Sequence, residues 1–242
     1  MKKRFAAFVS TVLAAVLCAC SAAPKDVLPN KAAQPTEAPT QQAQTTQAAP
    51  TEQPTPEPDL VQQLLEEMTL EQKVGQLFLV RPDSLDLSQT QDQINDAKAD
   101  GVTELTDAMR QTLAEYPVGG VVIFGKNLES PQQITQFLDD LQQASDTPLF
   151  TAIDEEGGLV ARLANNAAFD LPQYESAAAV GTSGNPEDAR AMGRTIGGYL
   201  KEYGFNLDFA PVADVNTNPD NPVIGTRAFS SEPQTAADLV GG

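Results

Sequence analysis

The chain has 242 residues, 41% of them hydrophobic, and a formal net charge of −18 with an isoelectric point near 4.2. A protein this acidic repels the phosphates of nucleic acid and the headgroups of anionic lipid, so neither is expected as a partner. Both cysteines, Cys18 and Cys20, stand near the N-terminus, which leaves the rest of the chain no thiol to form a disulfide or bind a metal; no metal and no cofactor is expected.

Lys2, Lys3 and Arg4 precede a mostly apolar run from Phe5 to Leu17, the charged and apolar regions of a secretory signal. That run is too short for a comfortable membrane span. The following Leu17-Cys18-Ala19-Cys20 resembles the lipobox of bacterial lipoproteins. Residues 1–20 are therefore expected to be a lipoprotein signal, with Cys20 the lipid-anchored first residue of a mature protein facing outward from the cell membrane. Plain secretion with cleavage near Ala22 or Ala23 is the alternative. Residues 21–58 are rich in Ala, Thr, Gln and Pro and almost free of large apolar side chains. They cannot bury enough surface to offset the entropy of ordering and read as a disordered tether, which as a coil would span roughly 35 Å.

From Asp59 the pattern becomes that of a folded domain, 59–242. Asp59 to Met68 has Leu60, Leu64 and Leu65 at helical spacing, and Thr69 to Lys73 opens a second helix. Gln76–Val80 is the first candidate strand. A polar region from Asp83 to Asp100 then leads into a helix ending near Tyr116, and Val118–Phe124 is the second strand. Pro131 to Ala144 reads as a helix with Ser130 as its N-cap. Pro148–Ile153 is the third strand, and a helix from Pro186 to Tyr203 carries Ala189, Met192, Ile196 and Leu200 on one face. Phe205–Val212 is the fourth strand, and Ser230 to Pro233 begins another helix.

Alternating strands and helices, with continuous apolar strands, predict an α/β fold with a parallel sheet buried on both faces. Either a doubly wound sheet or a (β/α)₈ barrel of the TIM type fits. The first strand is followed by no glycine-rich dinucleotide fingerprint, and the polar loops fall at strand C-terminal ends, so the barrel is favoured. Some four βα units are present where a barrel needs eight, so the fold is expected to be about the first half of one.

Two segments carry the chemistry. Ile153-Asp154-Glu155-Glu156-Gly157-Gly158-Leu159-Val160-Ala161-Arg162 puts three carboxylates and two glycines where a buried strand ends, and Arg162 returns a cation to the same mouth. Phe205 to Phe229 likewise runs from a strand into a polar loop that holds Asp208, Asp214 and Arg227. Taken singly, the acidic turn also reads as an ordinary solvated loop.

With both segments together, the chain resembles glycoside hydrolase family 3, in particular the N-terminal barrel of bacterial β-N-acetylhexosaminidases. The matching elements are Leu70-Glu71-Gln72-Lys73-Val74-Gly75-Gln76-Leu77, Val118 to Phe124, Ala152 to Gly158, Asn206 to Val215 and Asn221 to Phe229, in family order. The resemblance implies that Asp154 accepts hydrogen bonds from hydroxyls of the reacting N-acetylglucosamine, and that Arg162 and Arg227 donate to the same ring. A carboxylate can accept from vicinal hydroxyls and a guanidinium offers a planar fork of donors, so the residue types suit that task. For Arg227, a structural ion pair with Asp208 or Asp214 is the alternative. Glu155 stands where the family often has Gln and Leu159 where a basic residue is common; Glu155 is expected to add negative charge beside Asp154 and to tune both carboxyls.

Members of this type are retaining glycosidases whose aspartate nucleophile and His/Asp acid–base pair lie downstream of the position matching Phe229. This chain has no histidine, so no catalytic residue is assigned within it. Promoting Asp154 with Glu156, or with Asp214, to the carboxylate pair of a glycosidase is the competing assignment. The resemblance also implies a carbohydrate substrate containing N-acetylglucosamine, such as a peptidoglycan fragment or a chitin-like oligosaccharide. The absence of tryptophan leaves more of the sugar binding to polar clamps. A non-catalytic lipid-anchored carbohydrate-binding protein, a β-glucosidase and a phosphorolytic variant remain as alternatives.

Overall fold

The structure is a computed structural model that describes residues 59–242. The expected signal of residues 1–20, with Cys20, and the expected tether of residues 21–58 lie outside the described residues.

Helix α1 (Leu60–Glu67) starts where the Asp59 carboxylate accepts from the Val61 and Gln62 amides. Helix α2 (Leu70–Gly75) opens on a capping box in which Thr69 and Gln72 satisfy each other's backbone donors. The first strand, β1, is Leu79–Val80 alone. Gln76, Leu77 and Phe78, which sequence reading put in that strand, instead continue the end of α2 as turns, their amides donating to Gln72, Val74 and Gly75 carbonyls.

After β1 come a 3₁₀ turn (Pro82–Leu85), α3 (Gln91–Asn95) and α4 (Asp107–Glu115). The short turn overlaps, and α3 lies inside, the stretch Asp83 to Asp100 that composition marks only as polar. Strand β2 (Gly120–Ile123) leads into a 3₁₀ turn (Gly125–Asn127) and then α5 (Pro131–Ala144). Ser130 caps α5 by accepting from the Gln133 amide at 3.2 Å, and Ile134, Phe137, Leu138 and Leu141 form its buried face. Strand β3 (Phe150–Ile153) is followed by a two-stranded antiparallel pair, β4 (Glu155–Gly157) and β5 (Val160–Ala161), which period-two reading of the sequence did not separate from the loop. A short α6 (Ala177–Gly181) precedes α7 (Pro186–Glu202), whose first turn holds Glu187 and Asp188 and whose last holds Lys201, matching the helix dipole at both ends. Strand β6 is only Leu207–Asp208, shorter than the expected Phe205–Val212, because the chain turns away into the polar loop after two ladder residues. A 3₁₀ turn (Gly225–Arg227) and α8 (Pro233–Gly241) complete the described residues.

The principal sheet is parallel with order β1-β2-β3-β6. With the β4–β5 hairpin set aside, each strand of this sheet lies beside the one that precedes it in the chain, with no reversal of direction across the sheet. A doubly wound sheet reverses strand order at its switch point, whereas a barrel adds strands in one sense. Val121, Ile123, Ala152 and Ile153 are fully buried, and Val121, Ile123 and Ile153 share one hydrophobic core with Ile134, Phe137, Leu138 and Leu141 of α5, as expected of buried parallel strands. All four strands therefore present their C-terminal ends, and the loops that follow them, on one rim.

Candidate functional site

The rim is stiffened first under β1 and β2. Asp83 is fully buried and accepts from the Val102 amide at 3.1 Å and from Asn127 Nδ2 at 3.0 Å, with Lys126 Nζ 3.2 Å away. Asn127 in turn accepts from the Phe124 amide, so the loops after the first two strands are held by one polar knot. That knot sets the Phe124 ring at the mouth. The guanidinium carbon of Arg81 lies 4.3 Å from the ring centroid, and that of Arg162 lies 5.6 Å from it.

The acidic turn after β3 is built by alternation. In an extended strand successive side chains point to opposite faces. Asp154 meets Arg162, whose Nη2 donates to Asp154 Oδ2 at 2.9 Å, and both side chains stay partly open to solvent. Glu155 points the other way and is fully buried: its Oε2 accepts from the Leu163 amide and its Oε1 from the Ala164 amide, both at 2.9 Å, while the Tyr199 hydroxyl donates to Oε1 at 2.8 Å. Glu156 returns to the mouth and takes a two-point contact from Arg227, whose Nε donates to Oε2 at 2.7 Å and whose Nη2 donates to Oε1. Gly157 and Gly158 then adopt φ of 81° and 70°, the left-handed region that side chains resist, and turn β4 back into β5 so that Arg162 reaches Asp154.

The structure thus brings Asp154, Arg162 and Arg227 to the ends of β3 and its hairpin and to the loop after β6. It corrects two details. Arg227 pairs with neither Asp208 nor Asp214 but with Glu156, because the alternation of the strand turns Glu156 towards it. Glu155 is not a second charge beside Asp154 in the mouth; its carboxylate serves the backbone beneath the hairpin. Glu156, Phe124 and Asp208 were missed as site residues. The period-two pattern of residues 154–156 was the available signal for Glu156.

Asp208 ends β6 and its Oδ1 accepts from the Glu155 amide at 2.9 Å, extending the β3–β6 ladder through a side chain. Burial pushes its carboxyl up to about 7, and the nearby charges of Glu155, Asp154 and Glu156 push the same way against the lowering effect of that amide. Burial, followed by the adjacent Glu155, also drives the Tyr199 phenol well above its usual range, so it stays a hydrogen-bond donor. The Glu156 hydrogen bonds hold Arg227 still more firmly in its charged form, with Asp154 and Asp214 contributing. A mouth with an aromatic ring, two arginines and the partly open Asp154 carboxylate can accept from and donate to a polyhydroxylated ligand.

The chain belongs to glycosyl hydrolase family 3: the profile of that family's N-terminal domain matches residues 69–242. The beta-hexosaminidase A of Pseudoalteromonas piscicida is 36% identical over 143 residues, which are 57% of this chain and 24% of that one. The glycoside hydrolase family 3 beta-N-acetylglucosaminidase of Paenibacillus sp. str. FPU-7 superposes with a TM-score of 0.59 at 33% identity, over 72% of this chain and 30% of that one. NagZ from Neisseria gonorrhoeae, solved in complex with N-trifluoroacetyl-D-glucosamine, superposes with a TM-score of 0.51 at 26% identity, over 57% of this chain and 42% of that one. The matched segments span less than half the length of each of these relatives. The four-stranded sheet is accordingly part of a (β/α)₈ barrel, with about the first half represented in the described residues.

Proposed function

We propose that the protein is a β-N-acetylhexosaminidase-type glycosidase that releases terminal β-linked N-acetylglucosamine, with retention, from peptidoglycan fragments or related oligosaccharides. The observation that carries this reading is the Asp154–Arg162 pair at the rim of a family 3 barrel, beside an Arg227 fixed by Glu156. Asp154 would accept from two ring hydroxyls. Arg162 spends one Nη2 donor on Asp154 and its side chain stays partly open to solvent, so the guanidinium keeps donor capacity for a sugar oxygen. Such contacts reject sugars lacking the hydroxyl, because the clamp's groups would then be left unpaired. In this reading residues 59–242 supply the sugar clamp, and the aspartate nucleophile and His/Asp acid–base pair come from chain beyond them. The N-terminal sequence supports export and attachment to the outer face of the cell membrane through Cys20.

The test compares release of nitrophenol from the p-nitrophenyl β-N-acetylglucosaminide by residues 21–242 and by the same chain carried to the stop codon of its gene. Hydrolysis by the longer chain, lost on Asp154→Ala, is the expected result. A protein that binds N-acetylglucosamine and hydrolyses nothing would make it a non-catalytic carbohydrate-binding member instead.

A further inference from the structure

Glu155 is the one carboxylate of the acidic turn that the sugar clamp does not use, and it is among the most buried charged groups of the described residues. A buried carboxylate is costly unless its oxygens are satisfied. Here both are, and two of the three donors are the successive backbone amides of Leu163 and Ala164, immediately after Arg162. The third is the Tyr199 hydroxyl from the buried face of α7. The carboxylate therefore fixes the backbone on the C-terminal side of Arg162, while the Gly157–Gly158 turn fixes its approach from the other side.

We propose that Glu155 is a positioning residue that sets Arg162 against Asp154 and thereby the affinity of the clamp for its sugar; this rests on the glycosidase reading above. The side chain's charge matters to that role. Glutamine has nearly the same shape but one acceptor oxygen and one amide nitrogen, so one of the two backbone N–H groups would face another donor. The hairpin must then shift at 163–164, and Arg162 with it. In this chain, where both carboxylate oxygens face backbone N–H groups, glutamine is therefore a misfit for the hairpin as it is built.

The experiment measures hydrolysis of the p-nitrophenyl β-N-acetylglucosaminide by the full-length protein and its Glu155→Gln, Arg162→Ala and double variants. Expected are a rise in KM of roughly tenfold for Glu155→Gln with kcat little changed, a rise at least as large for Arg162→Ala, and less than a further twofold when Glu155→Gln is added to Arg162→Ala. Effects that multiply in the double variant, or a fall in melting temperature with KM unaltered, would overturn the positioning role. Tyr199→Phe removes the tether to α7 and leaves both amide contacts, so it is expected to lower the melting temperature without raising KM. A rise in KM matching that of Glu155→Gln would show that the buried network acts as a whole and would sink the proposal even if Glu155→Gln does not fold. Wild-type protein that hydrolyses no such substrate removes the glycosidase reading and the proposal with it, whereas a wild type that is active and sensitive to Arg162→Ala but not to Glu155→Gln removes the proposal alone.

Discussion

Asp208 couples the fold to pH. Its carboxyl holds a proton up to about 7 in the folded protein, against an ordinary value of 3.8, chiefly because it is buried at the end of β6. Between those two values the unfolded chain has released its proton and the folded chain has not, so folding takes up a proton. Stability from this group therefore falls as pH rises from about 4 to 7 and is flat outside that window. Asp208→Asn abolishes the titration and keeps an oxygen able to accept from the Glu155 amide. Discounted for partial exposure, the variant should be more stable than wild type at pH 8 by on the order of 1 kcal/mol and no more stable at pH 4. Thermal unfolding of the pair at the two pH values checks this; an equal difference at both would assign the effect to packing. Asp154 and Arg162 show a different balance, since a half-exposed pair contributes little to stability by itself and is free to exchange partners with a ligand.

The hairpin of β4 and β5 is the element on which the site depends, and it turns on Gly157 and Gly158. At Gly158, with φ of 70°, an added Cβ would stand 2.8 Å from Ser176 Cα and 2.9 Å from the Glu175 carbonyl oxygen, both backbone atoms. Gly158→Ala therefore meets conformational strain and a clash that no rotamer relieves, and should cost about 1–3 kcal/mol. A melting temperature within a degree of wild type would show that the loop of residues 175–176 yields easily. The paired glycines, the carboxylates and the returning arginine were legible in the sequence, because each has a local signature. So were α5 and α7, whose apolar spacing, Ser130 cap and charge-matched ends agree with one another. The partners were not legible. That Arg227 would find Glu156, 71 residues earlier, depends on how β6 lies beside β3, and no local pattern encodes that register. Nor could the ends of β1 and β6 be read, since Gln76–Phe78 and Phe209–Val212 have strand-like composition and only the ladder decides which residues pair. The role of Glu155 was obscured for a related reason: an acidic residue in an acidic turn reads as solvent-facing until Tyr199 and the Leu163 and Ala164 amides are seen to enclose it.

At the scale of the molecule, an open parallel sheet is the governing fact. Among the described residues β1 and β6 have neighbours on one side only, and parallel sheets are ordinarily covered on both faces and, in barrels, closed at both edges. Beside β1, Leu70, Val74, Phe78, Val80 and Tyr116 line an apolar groove of about 550 Å³. Leu60 on α1 and Leu77 after α2 are 74% and 80% exposed, so the helical face there is uncovered as well. Further βα units of a barrel would place a strand against β1 and helices over this face. Residues 59–242 produced alone should therefore self-associate, with an apparent mass by light scattering after gel filtration that rises with protein concentration. Replacing Val74 and Phe78 by lysine separates the two explanations of that behaviour. In the isolated segment the charges should suppress association, because they sit where a second copy would pack. In a chain long enough to close the barrel the same charges would be buried against the returning units, and the melting temperature should fall instead. A segment that stays monomeric at high concentration, with an unfolding transition as sharp as the longer chain's, would mean that four βα units make a self-sufficient fold and that the groove is built to remain open.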